Sequence, residues 1–478
     1  MMASETPFRV IIVGAGVAGL TASHCLHKAG IDHIILERRA DVAPAMGSSI
    51  AMYPGSGRIF HQLGILERME TTCSPCKYSW TRGPDGKDIV HNEFFEIVKK
   101  NHGQRILLLE RRQLLRNLYE TLPDMGRVKL NSEVKSINQL SDGVEVILTD
   151  GTVERGDMVL GADGVRGTVR SMMWEHANKM EPGIITAQEK TCMKTNYKLL
   201  LGMGPGAPEL GEADMTVCHN HKQSMMTLTQ PDHTYFSVYF KLDKPYSWPT
   251  RKRYTAEEAE AAAESVADHA VSDQAVFGEL WRKRDRASLI GVEEGVLDHW
   301  YYDRIALVGD CVHKMTPNIG LGGNMAIESV VVLCNHLHAM LSAQQGVKPS
   351  LATLRATFAA YQAERKPRVE QIMKFSREVT DSHAWATLSH KYYTKWVLPT
   401  KSDQFFPNII AEIVRRAPKL EYVDVKGFNK GKVVWKDEET KPSALAWSVG
   451  WMLRATVLVM LSVGAAQYGK VLPLIKSK

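Results

Sequence analysis

Three stretches of this chain combine glycines with a carboxylate, a pairing that suits the binding of phosphates and ribose hydroxyls. The first is Gly14-Ala15-Gly16-Val17-Ala18-Gly19, set between the apolar run at 9–13 and the helix-forming run at 20–26. In a strand–turn–helix context Gly14 permits the turn, Gly16 lets a pyrophosphate approach the backbone, and Gly19 allows close helix–strand contact. The helix N-terminus that follows would present oriented N–H donors to the phosphates. A second apolar run, 33–36, ends on Glu37, at the distance where a carboxylate holds ribose hydroxyls, and glutamate there favours an unphosphorylated ribose. The second stretch is Gly161-Ala162-Asp163-Gly164. The third begins at Gly309-Asp310 and runs on to Gly320-Leu321-Gly322-Gly323-Asn324. Each follows an apolar strand-like run.

Other candidate chemistry is weaker. No nucleophile motif stands out, and His219, His221 and His313 lack a third ligand at metal spacing, so they read as structural or surface histidines. Cys73-Ser74-Pro75-Cys76 has no second pair and reads as two ordinary thiols. The run 199–207 imitates a second glycine fingerprint, but Pro205 and Pro208 and the lack of helical periodicity make it a strand entering a loop.

The positioning elements read as an α/β fold with a Rossmann-like nucleotide-binding domain. Residues 7–180 form its first part, 181–295 a mainly β substrate lobe, and 296–380 the closing part with a long helix over 351–379 bent at Pro367. Residues 381–441 form a helical region and a lysine-rich linker from 426. Thr255, followed by Glu257, Glu258 and Glu260, with alanines running on to Val271, predicts an exposed helix with acids in its first turn.

The 478 residues exceed one ordinary core, and 44% hydrophobic with 23% charged residues is globular composition. The net charge of +6 is interspersed rather than clustered, which argues against nucleic-acid binding. Seven cysteines at irregular spacing suit reduced thiols in a cytosolic setting, and the N-terminus shows no signal-peptide cleavage site. Residues 444–466 form an apolar stretch long enough for a membrane helix. Arg454 costs about 2.5 to 3.5 kcal/mol at its middle, roughly offset by the leucines and valines at about 0.3 to 0.6 kcal/mol each. This C-terminal hydrophobic helix, with Trp447, Trp451 and Tyr468 as interfacial anchors, predicts a tail that is inserted in or lies on a membrane, the alternative being a helix packed on the protein's own surface.

The order of the three motifs resembles the group A flavoprotein monooxygenases of the p-hydroxybenzoate hydroxylase type, over about residues 7–375. The wording Gly309-Asp310-Cys311-Val312-His313-Lys314-Met315-Thr316-Pro317 looks like the fungal branch of paxilline-pathway and meroterpenoid epoxidases. Gly167, where serine is usual, Leu321, where glutamine is common, and Ala51, where glycine is usual, depart from the pattern.

The resemblance implies FAD as cofactor, NADPH or NADH as transient co-substrate, O2, and a lipophilic small-molecule substrate. The reaction implied is epoxidation of a prenyl olefin, the epoxide being opened by a separate terpene cyclase. Ring hydroxylation of a phenolic polyketide is the alternative, and a non-catalytic escort on the same fold, as in Rab GDP-dissociation inhibitors, is the rival from another class. A cytosol-facing place on the endoplasmic reticulum follows from the tail. The resemblance also assigns FAD contacts to Ala51, Arg111 and Asp310, and to backbone N–H groups of 320–323, with Gly322 and Gly323 opening a helix. Arg112 is the alternative to Arg111, and a solvated pair at a helix start is a third reading. Asp163 reads as a buried hydrogen-bonding group. Tyr235, Tyr197 and Lys198 are the candidate catalytic side chains.

Overall fold

A computed structural model describes residues 7–44 and 48–439. The segment 444–466, with the membrane expectation resting on it, lies outside the described residues.

The first layer is a six-stranded sheet in the order Tyr301–Tyr302, Ile305–Leu307, Met158–Gly161, Arg9–Val13, Asp32–Leu36, Val128–Lys129. Its central strands are parallel, covered on both faces, and accordingly apolar along their length. The register decides the function of this layer. Val13 sits opposite both Leu36 and Gly161, and Gly161 opposite Leu307, so all three glycine motifs emerge side by side at the carboxyl ends of parallel strands. That edge is where open α/β sheets bind ligands. The helices Val17–Lys28 and Gly322–Gln344 pack against each other over the sheet. The second of these is long and apolar because it is a core helix, with most of its length buried.

The second layer is an eight-stranded sheet in the order His313–Lys314, Arg286–Val296, Lys194–Pro205, His233–Ser247, Gln223–Thr229, Asp214–Asn220, Tyr78–Arg82, Asp88–Asn92. Two of its strands come from inside the stretch 7–180, and two more lie at or beyond the end of 181–295. The Tyr78–Arg82 strand joins by a parallel pairing with Asp214–Asn220, across more than a hundred residues of chain. Its own burial shows no alternation, so its pattern carries little trace of this partner.

Leu351–His383 is a single helix of 33 residues that runs through Pro367 and ends four residues later than its periodicity suggests. The helix Ala256–Glu264 has acids in its first turn as expected, and Thr255 and Glu258 add a full capping box, but it ends seven residues before Val271 and buries Ala259, Ala262 and Ala263. The lysine-rich stretch from 426 is not a loose linker over its described part. Arg58, 1% exposed, donates two hydrogen bonds to Asp437 and lies 4.6 Å from the centre of the Trp435 ring. Arg415 pairs with Glu439, and a side chain at Gly431 would collide with the Asn101 carbonyl at 2.3 Å. Charge pairing and close backbone contact therefore hold this strap against the helices Pro54–Leu63 and Phe94–His102 and the end of Phe405–Val414.

Candidate active site

A cavity of about 1900 Å³ lies between the two layers, reaching from the glycine cradle to the inner face of the eight-stranded sheet. At the cradle end Gly14 has φ +103°, and a Cβ there would stand 2.7 Å from the Ala162 carbonyl oxygen. A Cβ on Gly19 would meet the Gly14 carbonyl oxygen at 1.9 Å, so the helix can approach the turn only as glycine. Gly16 is different: open space lies where its Cβ would be, and it lines the cavity. No side chain caps the helix Val17–Lys28, which leaves first-turn N–H groups facing a ligand.

Glu37 is buried, and its carboxylate accepts from the Ala15 N–H at 2.8 Å and the Arg39 N–H at 2.9 Å. It braces the turn from behind, while the neighbouring Arg39 lines the cavity. Asp163 is half-buried rather than buried. It accepts from Thr168 N at 2.6 Å, Val169 N at 3.1 Å and the Cys311 thiol at 3.2 Å, tying the second motif to the third. These bonds give it a structural role at the start of the helix Val169–Met180. Gly167 has a local reason: a Cβ there would overlap the Asp163 carboxylate at 2.0 Å.

Asp310 and Arg111 both face the cavity. Burial pushes the Asp310 carboxyl up, but the Lys314 ammonium beside it, with His313 and Arg111, outweighs this and holds it below the usual carboxylate range. Arg111 begins the helix Arg111–Glu120, and its backbone N–H bonds the Ser48 carbonyl at 3.0 Å. Burial lowers its guanidinium and Asp310 opposes that, and the guanidinium has no hydrogen-bonded side-chain partner among the described residues. Arg112 points elsewhere and donates to the Ala43 carbonyl at 2.9 Å. One helical step thus separates a cavity cation from a structural one.

Gly322 and Gly323 open the helix Gly322–Gln344, which no side chain caps, and both line the cavity opposite Ala51 on the strand Ser49–Met52. Asn324, which sequence reasoning passed over, fixes this meeting point. Its side chain accepts from Tyr53 N and Ser56 Oγ, and donates to the carbonyls of Ala51 and Gly320. Lys314 was likewise missed as a functional residue. It lies four residues after Asp310, but on the strand His313–Lys314 rather than on a helix, so no local rule announces the pair. Leu321 is buried in the apolar cluster beneath this turn.

At the sheet end the cavity wall is Leu199, Leu201, Met215, Val217, Met226 and Leu228, with Tyr235 and Tyr239 among them. Tyr235 is the one catalytic candidate that reaches the cavity. Burial, with Glu110 beside it, pushes its phenol up, so it stays a neutral donor. Tyr197 and Lys198 do not line the cavity. The Tyr197 hydroxyl donates to Asp381 at 2.6 Å, and Lys241 holds the same carboxylate, which locks the ring against the long helix. Lys198 lies on the opposite face of its strand, 5.1 Å over the Phe240 ring. His219 and His383 also face the cavity, their rings 4.7 Å apart; burial lowers His219 well below its usual range and His383 to about 4. No cluster of three metal-ligating side chains occurs among the described residues, and the described cysteines are all free thiols.

Residues 7–376 match the family described as FAD binding domain. The chain is 40% identical to the FAD-dependent monooxygenase DEP2 of Alternaria brassicicola, over 91% of this chain and 82% of that one. The chain belongs to this family of FAD-dependent monooxygenases. It is also 31% identical to the FAD-dependent monooxygenase atmM of Aspergillus flavus, covering 96% of this chain and 95% of the relative. The fold is that of Klebsiella pneumoniae HpxO complexed with FAD and uric acid, with a TM-score of 0.70 at 20% identity over 85% of this chain and 96% of that one. The monooxygenase therefore takes FAD, O2 and a small-molecule substrate. Its open Gly16, uncapped helix starts and unpaired Arg111 fit the anionic pyrophosphate and the flavin that FAD brings.

Proposed function

We propose that this monooxygenase transfers one oxygen atom of O2 to a prenyl olefin of a lipophilic substrate, such as a meroterpenoid or indole-diterpene intermediate, with NADPH or NADH as electron source. FAD, when bound, accepts hydride from the nicotinamide and activates O2. The chain's residues do the rest. First-turn N–H groups behind Gly16 and the guanidinium of Arg111 hold the cofactor's anionic part. The Asp310–Lys314 pair offers a ribityl hydroxyl an acceptor beside a cation. The uncapped helix start at Gly322 favours negative charge at the flavin edge.

The observation that carries the choice of reaction is the sheet wall. Its central strands are apolar, the tyrosines on them are held neutral, and His219 with the facing His383 are weak bases because burial disfavours their protonated forms. The carboxylates other than Asp310 that line the cavity, Glu293, Glu378 and Glu412, sit on the strand Arg286–Val296 and on two helices. Ring hydroxylation of a phenol calls for deprotonation, whereas an olefin needs only exclusion of water and placement. The epoxide product is of the kind a separate terpene cyclase would open. Three analogues test this: a prenylated phenol, its O-methyl ether and its saturated-chain counterpart. Olefin oxidation predicts product from the first two and none from the third; product from the saturated phenol alone would reject the proposal.

The segment 444–466 supports association with the cytosolic face of the endoplasmic reticulum on composition. Fractionating the full chain beside one ending at Lys441 tests it, and an equal soluble share of both would reject it.

A further inference from the structure

Between the long helix and the strap, the chain turns through Leu388–Tyr392, a π-turn Tyr393–Val397 and a final short turn to Thr400. Its two sides differ sharply. On the inner side Thr394 is fully buried, 3.3 Å from His219 Nδ1, and Tyr393 and Leu398 line the cavity. On the outer side Leu388, Tyr392 and Trp396, four residues apart, are 72%, 54% and 68% exposed. Large apolar side chains scattered singly are ordinary, but three in register on one short helical face make an apolar row. From Ala384 to Ser402 there is no acidic residue, and Lys391, Lys395 and Lys401 flank the face. Lys391 and Lys395 both lie 5.4 Å from the centre of the buried Trp385 ring.

We propose that Leu388, Tyr392 and Trp396 form a bilayer-docking face whose occupant is a membrane surface bearing anionic headgroups. An aromatic and leucine row edged by lysines is the composition of an interfacial helix. The charge pattern selects a negatively charged lipid surface over a neutral protein patch. Because the same turn forms the cavity wall on its other side, docking sets the cavity one turn away from the lipid phase, where a prenylated substrate dissolves. A π-turn at this point lets one short segment serve both faces. This surface goes beyond the reading of the tail and stands without it.

The test uses the full-length, FAD-loaded protein and vesicles of phosphatidylcholine with or without phosphatidylserine, read by hydrogen exchange over residues 386–401. Phosphatidylserine vesicles should slow exchange there. The combined variant Leu388→Ser, Tyr392→Ser, Trp396→Ser should lose that slowing while keeping its FAD content and unfolding temperature. Lys391→Glu with Lys395→Glu should lose it as well. Unchanged exchange in protein that floats with the vesicles would overturn the assignment, and equal protection by phosphatidylcholine alone would overturn its anionic part. Protection without vesicles that grows with protein concentration, or that vanishes when the chain ends at Glu439, would instead assign the face to a second copy or to the chain's own tail, and either result overturns the proposal. Turnover enters none of these readouts, so failure here leaves the oxygen-transfer reading standing.

Discussion

The two ends of the cavity are built on opposite principles. The cradle is made of backbone: Gly14, Gly19 and Gly323 each lie where a Cβ would approach a neighbour to 2.9 Å or less, and the polar side chains around them are tied to N–H or carbonyl groups. The sheet wall is made of side chains, largely leucine, methionine and valine, which can shift rotamers to suit a ligand. One end is fixed to a single cofactor, whereas the other is free to vary with substrate. Substitutions should therefore be severe and unselective in the cradle, graded and selective on the wall.

The largest expected effect is in the cradle. Gly19→Val places carbon where the Gly14 carbonyl stands at 1.9 Å, and an overpacked site of this kind costs about 1 to 3 kcal/mol or more. We expect protein without bound flavin and with a lowered unfolding temperature, checked by flavin absorbance and thermal scanning. Normal flavin content would break the comparison at its strongest point.

Next come the charges. Arg111→Ala and Asp310→Ala should each weaken FAD binding ten- to hundred-fold, the equivalent of one charge-assisted hydrogen bond at about 1.5 to 3 kcal/mol. Arg112→Ala should leave FAD affinity nearly unchanged, since Arg112 bonds the Ala43 carbonyl. Fluorescence titration of apoprotein reads all three, and a reversal of Arg111 and Arg112 would contradict the site as described.

Gly167→Ser restores the residue usual in the resembling family. In this chain it should destabilise by about 1 to 3 kcal/mol, because the new Cβ displaces an Asp163 carboxylate that holds two backbone N–H groups. A stability equal to the parent would show that Asp163 relaxes freely.

Wall substitutions should act more gently. Leu201→Ala or Met226→Ala should shift KM for substrate by about ten-fold or less while FAD affinity stays constant, since a wall that re-packs around the substrate keeps the loss to about 1 kcal/mol, the low end of what a deleted methylene costs in an apolar pocket. The smallest effect is none at all. His383 titrates at about 4 and so is neutral above that pH, while Tyr235 is neutral because burial pushes its phenol up. Neither changes charge between about pH 6 and 9, so wall chemistry should leave olefin turnover flat there. A bell-shaped profile that Tyr235→Phe abolishes would assign the tyrosine a proton-transfer role.

The same contrast explains what was legible in the sequence. Cradle positions are readable because a steric demand admits one residue type at fixed spacing, and the strand–turn–helix pattern around Gly14 to Gly19 is local. The choice of Arg111 over Arg112 depends on helix phase, which only packing fixes. Tyr197 was a reasonable candidate beside Leu199 and Leu201 on the cavity face, but its partner Asp381 lies 184 residues away, and a register shift between Thr195 and Tyr197 alters the strand there. Lys198 fails on strand parity alone. Asn324 was visible as a residue, yet three of its four hydrogen bonds join segments about 270 residues apart, a meeting that no local pattern reveals. The strands at 78–92 went unassigned to the sheet for the same reason.

The FAD cradle faces an apolar wall, and we propose that an olefin is what this wall receives. Supplying the FAD-loaded enzyme with NADPH, a prenylated aromatic substrate and isotopically labelled O2 tests it most directly, with the position of the label read by mass spectrometry. The account predicts one labelled oxygen on the prenyl chain, as an epoxide or the diol derived from it. A labelled oxygen on the aromatic ring would contradict it.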